Sequence, residues 1–493
     1  MDALTVINRV LDTLRAQGVT VTRLENDSRR VRPGDVFLAY PGDAADGRRY
    51  IDQAVARGAV AVVYEAAGWD AASLTVPAVA VGELKRWCGA LADAVYGAPT
   101  AKLALVGVTG TNGKTSCTQW IAQALHAAGQ SCAVIGTLGD GFPGALTPSG
   151  FTTPEPAHLQ EKLAGFVAAG ARACAIEVSS IGLAEDRVAG CRFATAVFTN
   201  LTRDHLDYHG SMAAYAEEKA KLFRWPGLEA VVVNLDDPFG AQLLSVTDAR
   251  ERIAYSLTGA RHPRATRLLC ADDLAITPSG LHFTLSDGHQ RASVASSLLG
   301  RYNAANLLAV AGALVSLALP LDVVAAQLAR LTPPPGRLEC LGGEARPLVV
   351  VDYAHTPDAL DNALGALAEV AEARGGKLVC VFGCGGDRDG GKRPLMGEVA
   401  VRRADRVIVT SDNPRSEDPA AIIAAILAGA PGAEHELDRA RAVERAIATA
   451  DARDVVLLAG KGHENYQEVG GVRRPYSDVV QAKAALAAWS NQQ

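Results

Sequence analysis

The stretch Gly107-Val-Thr-Gly-Thr-Asn-Gly-Lys-Thr-Ser116 constrains the fold more than any other part of the chain. The apolar run 103–106 before it reads as a buried strand. The segment 117–128 after it carries Trp120, Ile121 and Leu125 at helical spacing, and Gly129 ends that pattern. A glycine-rich turn between strand and helix lets backbone N–H groups converge on an anion. The helix N-terminus adds its positive end, Lys114 adds a mobile charge, and the Thr115 hydroxyl can ligate Mg²⁺. The common phosphate loop has four residues between its glycines. Here five separate Gly107 from Gly113 and two separate Gly110 from Gly113, so the loop is a variant.

At 493 residues the chain exceeds one ordinary core, and two to four domains are expected. With 49% hydrophobic but only 5% aromatic residues it reads as a soluble globular protein rich in small aliphatics. A net charge of −6 argues against a general binder of nucleic acid or anionic membrane, so local arginines and lysines must hold any anionic ligand. The N-terminal residues lack the pattern of a secretory signal, and no apolar run approaches membrane-spanning length. The nine cysteines are scattered, and Cys380 and Cys384 miss the usual zinc or redox spacing. Reduced thiols in a cytoplasmic protein are expected.

Three α/β units are expected: 1–98, 99–332 and 333–493. In the first, 36–38 and 59–64 read as strands, with a helical stretch ending near Gly58; 96–100 reads as a linker. In the second, strand-like runs at 132–135, 172–178, 193–199 and 229–233 alternate with helical stretches. That order describes a mostly parallel sheet covered by helices. The alternation over 268–294 reads as an antiparallel patch, and 298–317 as a helix. The Pro-rich segment 332–336 is the clearest linker. Beyond it, strands at 349–351, 378–382, 407–410 and 455–458 each end in a polar cluster, where ligands of open parallel sheets bind. These features describe a Rossmann-like third unit.

Several polar residues of the second unit suit phosphoryl chemistry. Glu177 ends an apolar strand, where a carboxylate is either a hard-metal ligand or a helix cap. His205 and His209 are four apart, but the Glu of a zinc-protease motif is missing. Spacing alone does not separate Lys219 and Lys221 from solvated lysines.

Taken together, the phosphate loop, Glu-Val-Ser-Ser at 177–180, Asn-Leu-Thr-Arg-Asp-His-Leu-Asp-Tyr-His-Gly at 200–210 and Pro-Gly-Arg at 335–337 resemble the Mur ligases. These are ATP-dependent amide-bond ligases of bacterial cell-wall synthesis. The segments 350–358, 383–389 and 460–464 resemble the members that add a diamino acid to UDP-N-acetylmuramoyl-L-alanyl-D-glutamate. The resemblance covers nearly the whole chain. It implies that Ser28, Asp43, Ala44 and Ala45 hold the uridine diphosphate, and that Thr152, Thr153, Ser179, Glu185 and Arg187 contact the muramoyl-dipeptide. It implies Gly110, Thr111, Asn112, Gly113, Lys114, Thr115 and Ser116 for the ATP phosphates. Asn303, Arg337 and Asp352 would meet adenine, phosphates and ribose. Thr115, Glu177, His205 and Lys219 would hold Mg²⁺, with Lys219 carbamylated into an anion. Lys114, Glu177, His205 and Lys219 form the implied catalytic set. Ile181 and Glu185 depart from the family pattern, which has His and Gln there.

The segment Asp412-Asn413-Pro414-Arg415 resembles the motif of ligases that use meso-diaminopimelate. An arginine can pair bidentately with the far carboxylate of that amino acid, and it repels the ammonium that lysine carries there. Arg388, Gly460 and Glu464 complete the implied acceptor site. The residue types at 412–415 also fit a type I turn. The reaction implied is transfer through an acyl phosphate, by a cytoplasmic monomer with no nucleic-acid partner. Two alternatives remain in view. A folylpolyglutamate-synthase-like ligase leaves the first unit and 412–415 unexplained. A non-catalytic nucleotide-gated binding protein leaves Lys114, Glu177, His205 and Lys219 without use.

Overall fold

The computed structural model describes residues 3–42, 45–69, 74–277 and 280–489. Three successive sheets organise them. In the first, strands Leu24–Glu25, Val36–Ala39, Ala61–Glu65 and Ala78–Val81 pair in parallel. Alternate residues of Val36–Ala39 serve opposite faces, as the two-residue period of a strand requires. Val36 and Leu38 pack on helices Ala3–Ala16 and Leu84–Val95, while Phe37 and Ala39 pack on Ile51–Ala56.

The second sheet has eleven strands. Its parallel centre runs Cys132–Gly136, Ala173–Glu177, Ala104–Thr109, Thr195–Phe198, Ala230–Asn234, Glu251–Ser256 and Arg267–Thr277. Antiparallel strands Gly280–Ser286 and Arg291–Ser296 extend one edge, and the hairpin Gly139–Phe142 with Ala145–Thr147 extends the other. Helices Lys114–Ala127 and Arg301–Ser316 cover one face; Pro156–Ala168 and Pro238–Val246 cover the other. Arg301–Ser316 lies between the sheet and its neighbouring helix, which is why it is buried almost all round. The strand expected at 103–106 runs on to Thr109, and the helix expected from 117 begins at Lys114. Strand and helix thus converge on a turn of four residues, 110–113. The strand Glu251–Ser256 escaped the sequence reading because Glu251 and Arg252 break its apolar run.

The third sheet places Glu339–Gly342 antiparallel beside Leu348–Asp352. Val455–Ala459, Leu378–Phe382, Arg406–Thr410 and Glu434–Glu436 follow in parallel. Val455–Ala459, the last long strand of the chain, therefore inserts between Leu348–Asp352 and Leu378–Phe382, and this reversal of strand order opens a crevice at the carboxyl ends. The hairpin Tyr466–Val469 with Val472–Pro475 folds beside that crevice, through a bridge between Arg415 and Val469.

Candidate active site

The turn after Ala104–Thr109 is held open by contacts that leave no room for side chains. Gly110 has φ +150°, and a Cβ there would lie 1.9 Å from Thr199 Oγ1. Gly113 has φ +88°, and a Cβ would lie 2.6 Å from Asn306 Oδ1. The loop is tied to the segment after Thr195–Phe198. Thr111 N donates to Asn200 O at 2.8 Å, and Asn112 N donates to Asn200 Oδ1 at 2.9 Å. Lys114 Nζ folds back on the carbonyls of Gly110 and Thr111, both at 2.8 Å. Burial holds its pKa below the ordinary lysine value. A phosphate entering the turn gives that ammonium a better partner than two neutral carbonyls.

Glu177, at the end of the neighbouring strand, is 1% exposed. It accepts bonds from Thr115 Oγ1 at 3.0 Å, Thr137 N at 2.9 Å and Thr137 Oγ1 at 3.2 Å. Thr137 Oγ1 also meets Thr152 Oγ1 at 3.0 Å, which links this carboxylate to the segment expected to touch the dipeptide. Thr153 Oγ1 bonds Glu177 O and Ser179 Oγ, at 2.9 and 3.0 Å. Gly136 is needed beside Glu177: a Cβ there would sit 2.3 Å from its Oε1.

His205 and Lys219 line the same small cleft as Thr115 and Glu177, with Asp204, Tyr215 and Ser180. His205 pairs with Asp204 at 3.4 Å and adopts φ +52°. His209 places its Nε2 2.9 Å from Ser180 Oγ, and among the described residues no metal-holding group of His, Cys, Asp or Glu forms around the two histidines four apart. His209 supplies a contact to Ser180 that the apolar Ile181 side chain cannot make. Lys219 is 1% exposed; its Nζ donates to Gly110 O at 2.9 Å and lies 4.4 Å from the Tyr215 ring centroid. Burial, reinforced by Lys114, holds Lys219 well below the ordinary lysine pKa. A neutral amine in this setting is nucleophilic toward CO₂.

Among the described residues no three His, Cys, Asp or Glu side chains are gathered as a metal cage. The Thr115 hydroxyl and the Glu177 carboxylate are nevertheless hard oxygen donors beside the phosphate turn. Mg²⁺ is usually held this way, by one or two protein oxygens with substrate phosphates and water. The donor set fits that ion.

A cleft of ≈ 250 Å³ lies between the second and third sheets. Ser116, Trp120, Asn303 and Asn306 line it from the second; Arg337, Asp352, Tyr353 and His355 line it from beyond the linker. Asn303 Nδ2 donates to Leu299 O at 2.8 Å and its Oδ1 accepts from Asn306 Nδ2 at 3.1 Å. Asp352 accepts from Leu338 N and Ala354 N, both at 2.8 Å. Burial raises its pKa against the opposing pull of Arg337. Arg337 donates to Thr115 Oγ1 at 3.1 Å and stacks 4.6 Å from the Tyr353 ring centroid. Its buried Nε has no partner among the described residues, as expected of a group that awaits an anion. Asn112 Nδ2 reaches Asp358 Oδ2 at 3.0 Å, a second bond across the cleft.

A second cleft, ≈ 650 Å³, opens between the first and second sheets. Ser28, Ala45, Glu185 and Arg187 line it, with Arg29, Arg30, Lys85 and His158. Asp43 and Ala44 lie outside the described residues. Ser28 Oγ donates to Gln53 Oε1 at 2.7 Å. Arg187 donates to Glu185 Oε2 through Nε and Nη2, at 2.7 and 2.5 Å, to Thr153 O at 3.1 Å, and pairs with Glu155 at 3.2 Å. Glu185 thus neutralises the arginine expected to meet substrate.

At the crevice of the third sheet, Asp412 and Asn413 are buried. Arg415 has φ +52° and donates to Gly386 O at 2.7 Å. Arg388 is exposed on the same glycine loop. The type I turn expected at 412–415 is displaced: Glu417 N donates to Pro414 O at 3.0 Å, so the bonded turn spans 414–417. The Asn413 side chain is instead committed across the crevice. Its Nδ2 donates to Glu464 Oε2 at 2.8 Å and its Oδ1 accepts from Lys461 Nζ at 3.0 Å. Gly460 has φ +111°, and a Cβ there would lie 2.5 Å from Asp412 Oδ2. Lys461 and Arg439, both fully buried behind these strand ends, were not read from the sequence. The basic residue in Gly-Lys-Gly-His-Glu was the one available signal.

The phosphate turn, its carboxylate and the crevice beyond it define a nucleotide-dependent ligase, and the chain belongs to the Mur ligase family. Residues 108–314 match the Mur ligase middle domain, 336–462 the Mur ligase glutamate ligase domain, and 20–96 the Mur ligase family catalytic domain. Within that family the chain is 51% identical over 484 residues to UDP-N-acetylmuramoyl-L-alanyl-D-glutamate--2,6-diaminopimelate ligase of Chromobacterium violaceum, covering 97% of this chain and 96% of that one. It is 52% identical over 473 residues to the ligase of the same name from Pseudomonas aeruginosa, covering 95% and 96%. A solved structure of a ligase of that name is 37% identical and superposes with a TM-score of 0.68 over 95% of each chain.

Proposed function

We propose that this chain joins meso-2,6-diaminopimelate to the D-glutamate γ-carboxyl of UDP-N-acetylmuramoyl-L-alanyl-D-glutamate, at the expense of ATP, in peptidoglycan precursor synthesis. The observation that carries this reading is the position of Arg415. It follows the strand Arg406–Thr410 at the carboxyl ends of the third sheet, donates to Gly386 O of the glycine loop that carries Arg388, and lies two residues beyond Asn413, which bonds Glu464. That arrangement offers a carboxylate-binding cation and an ammonium-binding anion to one amino acid.

The units 1–98, 99–332 and 333–493 hold the uridine end, the ATP and the acceptor respectively. Ser28 and the 43–45 segment face the uridine diphosphate; Thr152, Thr153, Ser179, Glu185 and Arg187 face the muramoyl-dipeptide. Gly110 to Ser116 wrap the phosphates, Asn303 and Asp352 meet adenine and ribose, and Arg337 pairs with phosphate. The γ-carboxylate attacks the γ-phosphorus of ATP, giving an acyl phosphate and ADP. Lys114 and Arg337 offset the negative charge gathered at the transferring group. Mg²⁺ on Thr115, Glu177, His205 and the carbamate of Lys219 would add charge neutralisation there. Asp412, Asn413, Pro414, Gly460 and Glu464 orient the acceptor, and its free amine attacks the acyl carbon as phosphate leaves. Arg415 and Arg388 face its far carboxylate. The reaction needs neither nucleic acid nor a membrane span; we place it in the cytoplasm, in a monomer. Among the described residues no helix is long and apolar enough to cross a membrane.

Replacing Arg415 with Met tests this assignment. The KM for diaminopimelate is expected to rise by roughly tenfold or more, as the loss of a charge-assisted pair implies, while the KM for ATP stays within twofold. An unchanged KM for diaminopimelate would place the far carboxylate elsewhere.

A further inference from the structure

The acceptor crevice contains a buried cation that the reaction as described does not use. Lys461 follows the strand Val455–Ala459, and its side chain is 0% exposed. Its Nζ donates to Asn413 Oδ1 and to Glu464 Oε2, each at 3.0 Å. The rings of Tyr466 and Tyr476 stand 5.6 and 5.9 Å away, closing its other side. Glu464 Oε2 accepts a second bond from Asn413 Nδ2 at 2.8 Å, while Asn413 Oδ1 also accepts from Glu468 N at 3.0 Å. Both donors to Glu464 therefore converge on one oxygen, from behind. Its other oxygen, Oε1, takes no hydrogen bond among the described residues, and the side chain is 16% exposed.

A carboxylate held in this way has one oxygen fixed and one presented. An exposed glutamate alone would sample several rotamers, and ordering it on binding would cost free energy. The buried ammonium removes that cost in advance, so that Oε1 is ready for a ligand's ammonium. The same cation fixes the Asn413 amide, because only its oxygen can face Nζ and Glu468 N while its nitrogen faces Glu464. Asn413 precedes Pro414 and Arg415, so the two ends of the crevice are registered through one buried charge.

We infer that Lys461 is a positioning residue for the acceptor amino acid, aiming Glu464 Oε1 at its ammonium and holding Asn413 in register with Arg415. This rests on reading the crevice as the acceptor site. Steady-state kinetics of Lys461→Met and of Lys461→Gln, which retains a neutral donor should Met not fold, test it against Glu464→Gln and Arg415→Met. The expected result is a rise of about tenfold or more in the KM for diaminopimelate in the Lys461 variants. The KM values for ATP and for the uridine substrate should stay within twofold, and Lys461→Arg should recover part of the loss. If the Glu464 and Arg415 variants raise the diaminopimelate KM but the Lys461 variants leave it unchanged, or raise all three KM values alike, the inference about Lys461 falls alone. If the Glu464 and Arg415 variants also leave it unchanged, the acceptor-site reading falls with it.

Discussion

Glu185 illustrates how one side chain changes the chemistry of its neighbour. Its carboxylate grips Arg187 through two hydrogen bonds inside the cleft assigned to the anionic uridine substrate. Glutamine there would keep one acceptor and drop the competing charge. The KM of Glu185→Gln for the uridine substrate is expected to fall by roughly three- to tenfold in initial-rate assays; a rise would show that the ion pair orders Arg187 for binding. Lys219 is a sharper case. Its buried, weakly basic amine suits carbamylation, so Lys219→Ala should lower kcat by at least about a hundredfold, and electron density at Nζ should show the added carboxylate. The sequence supplied Lys219 only by resemblance, since lysine spacing on a helix carries no sign of burial. His355 and His463 contribute a pH dependence to stability. Burial pushes both from 6.5 down to about 4. Unfolded, they bind protons below 6.5, while the folded chain refuses them until about 4. Stability is therefore lost as pH falls through that window. Replacing both with Asn should flatten the fall in denaturation midpoint between those pH values.

At the scale of elements, the contacts that set the clefts are close approaches of backbone. Helix Leu84–Val95 meets the turn at Ala189 and Gly190 through Gly89, where a Cβ would lie 2.0 Å from Ala189 O. That turn follows Arg187, so Gly89→Ala is expected to cost about 1–3 kcal/mol by overpacking and to raise the KM for the uridine substrate, read by denaturant melts and kinetics. Beneath the acceptor crevice, Arg439 pairs with Asp478, both side chains at 0% exposure, and donates to Ala459 O at 2.9 Å and Ser411 O at 3.4 Å. Removing either partner alone should cost about 3–5 kcal/mol, and removing both to apolar residues much less than twice that. The long apolar strands were legible because a continuous hydrophobic run has few other uses in a parallel sheet. The phosphate turn was legible because glycine, lysine and hydroxyl fall at fixed offsets. Glu251–Ser256 and the hairpin Gly139–Phe142 with Ala145–Thr147 were not, because polar and glycine residues mask strands paired mainly through backbone. Lys461 and Arg439 were hidden for a related reason: charge reads as surface unless its buried partner, Glu464 or Asp478, is placed beside it. The carboxylate–arginine grip of Glu185 was likewise invisible, although the residue itself stood out.

Across the whole molecule, the cleft between the second and third sheets and the small cleft of Glu177 and Lys219 meet at the phosphate turn, where Asn112 and Gly113 line both, and the bonds Arg337 to Thr115 and Asn112 to Asp358 already span the first of them. Arg203 and Asp389, 3.3 Å apart, add a contact between the His205 segment and the glycine loop of the acceptor crevice. On the proposed assignment the substrates sit on three sheets and must be brought together, so closure should precede chemistry. Small-angle scattering should register a smaller radius of gyration when ATP and the uridine substrate are added together, and an unchanged radius would count against closure. Wild-type protein is supplied with ATP, Mg²⁺ and UDP-N-acetylmuramoyl-L-alanyl-D-glutamate, and phosphate release and product mass are compared for meso-diaminopimelate and L-lysine. Phosphate release is expected with diaminopimelate, with a product heavier by that amino acid less one water, and little of either with lysine. Equal use of lysine, or phosphate release without a new amide, would contradict the proposed function.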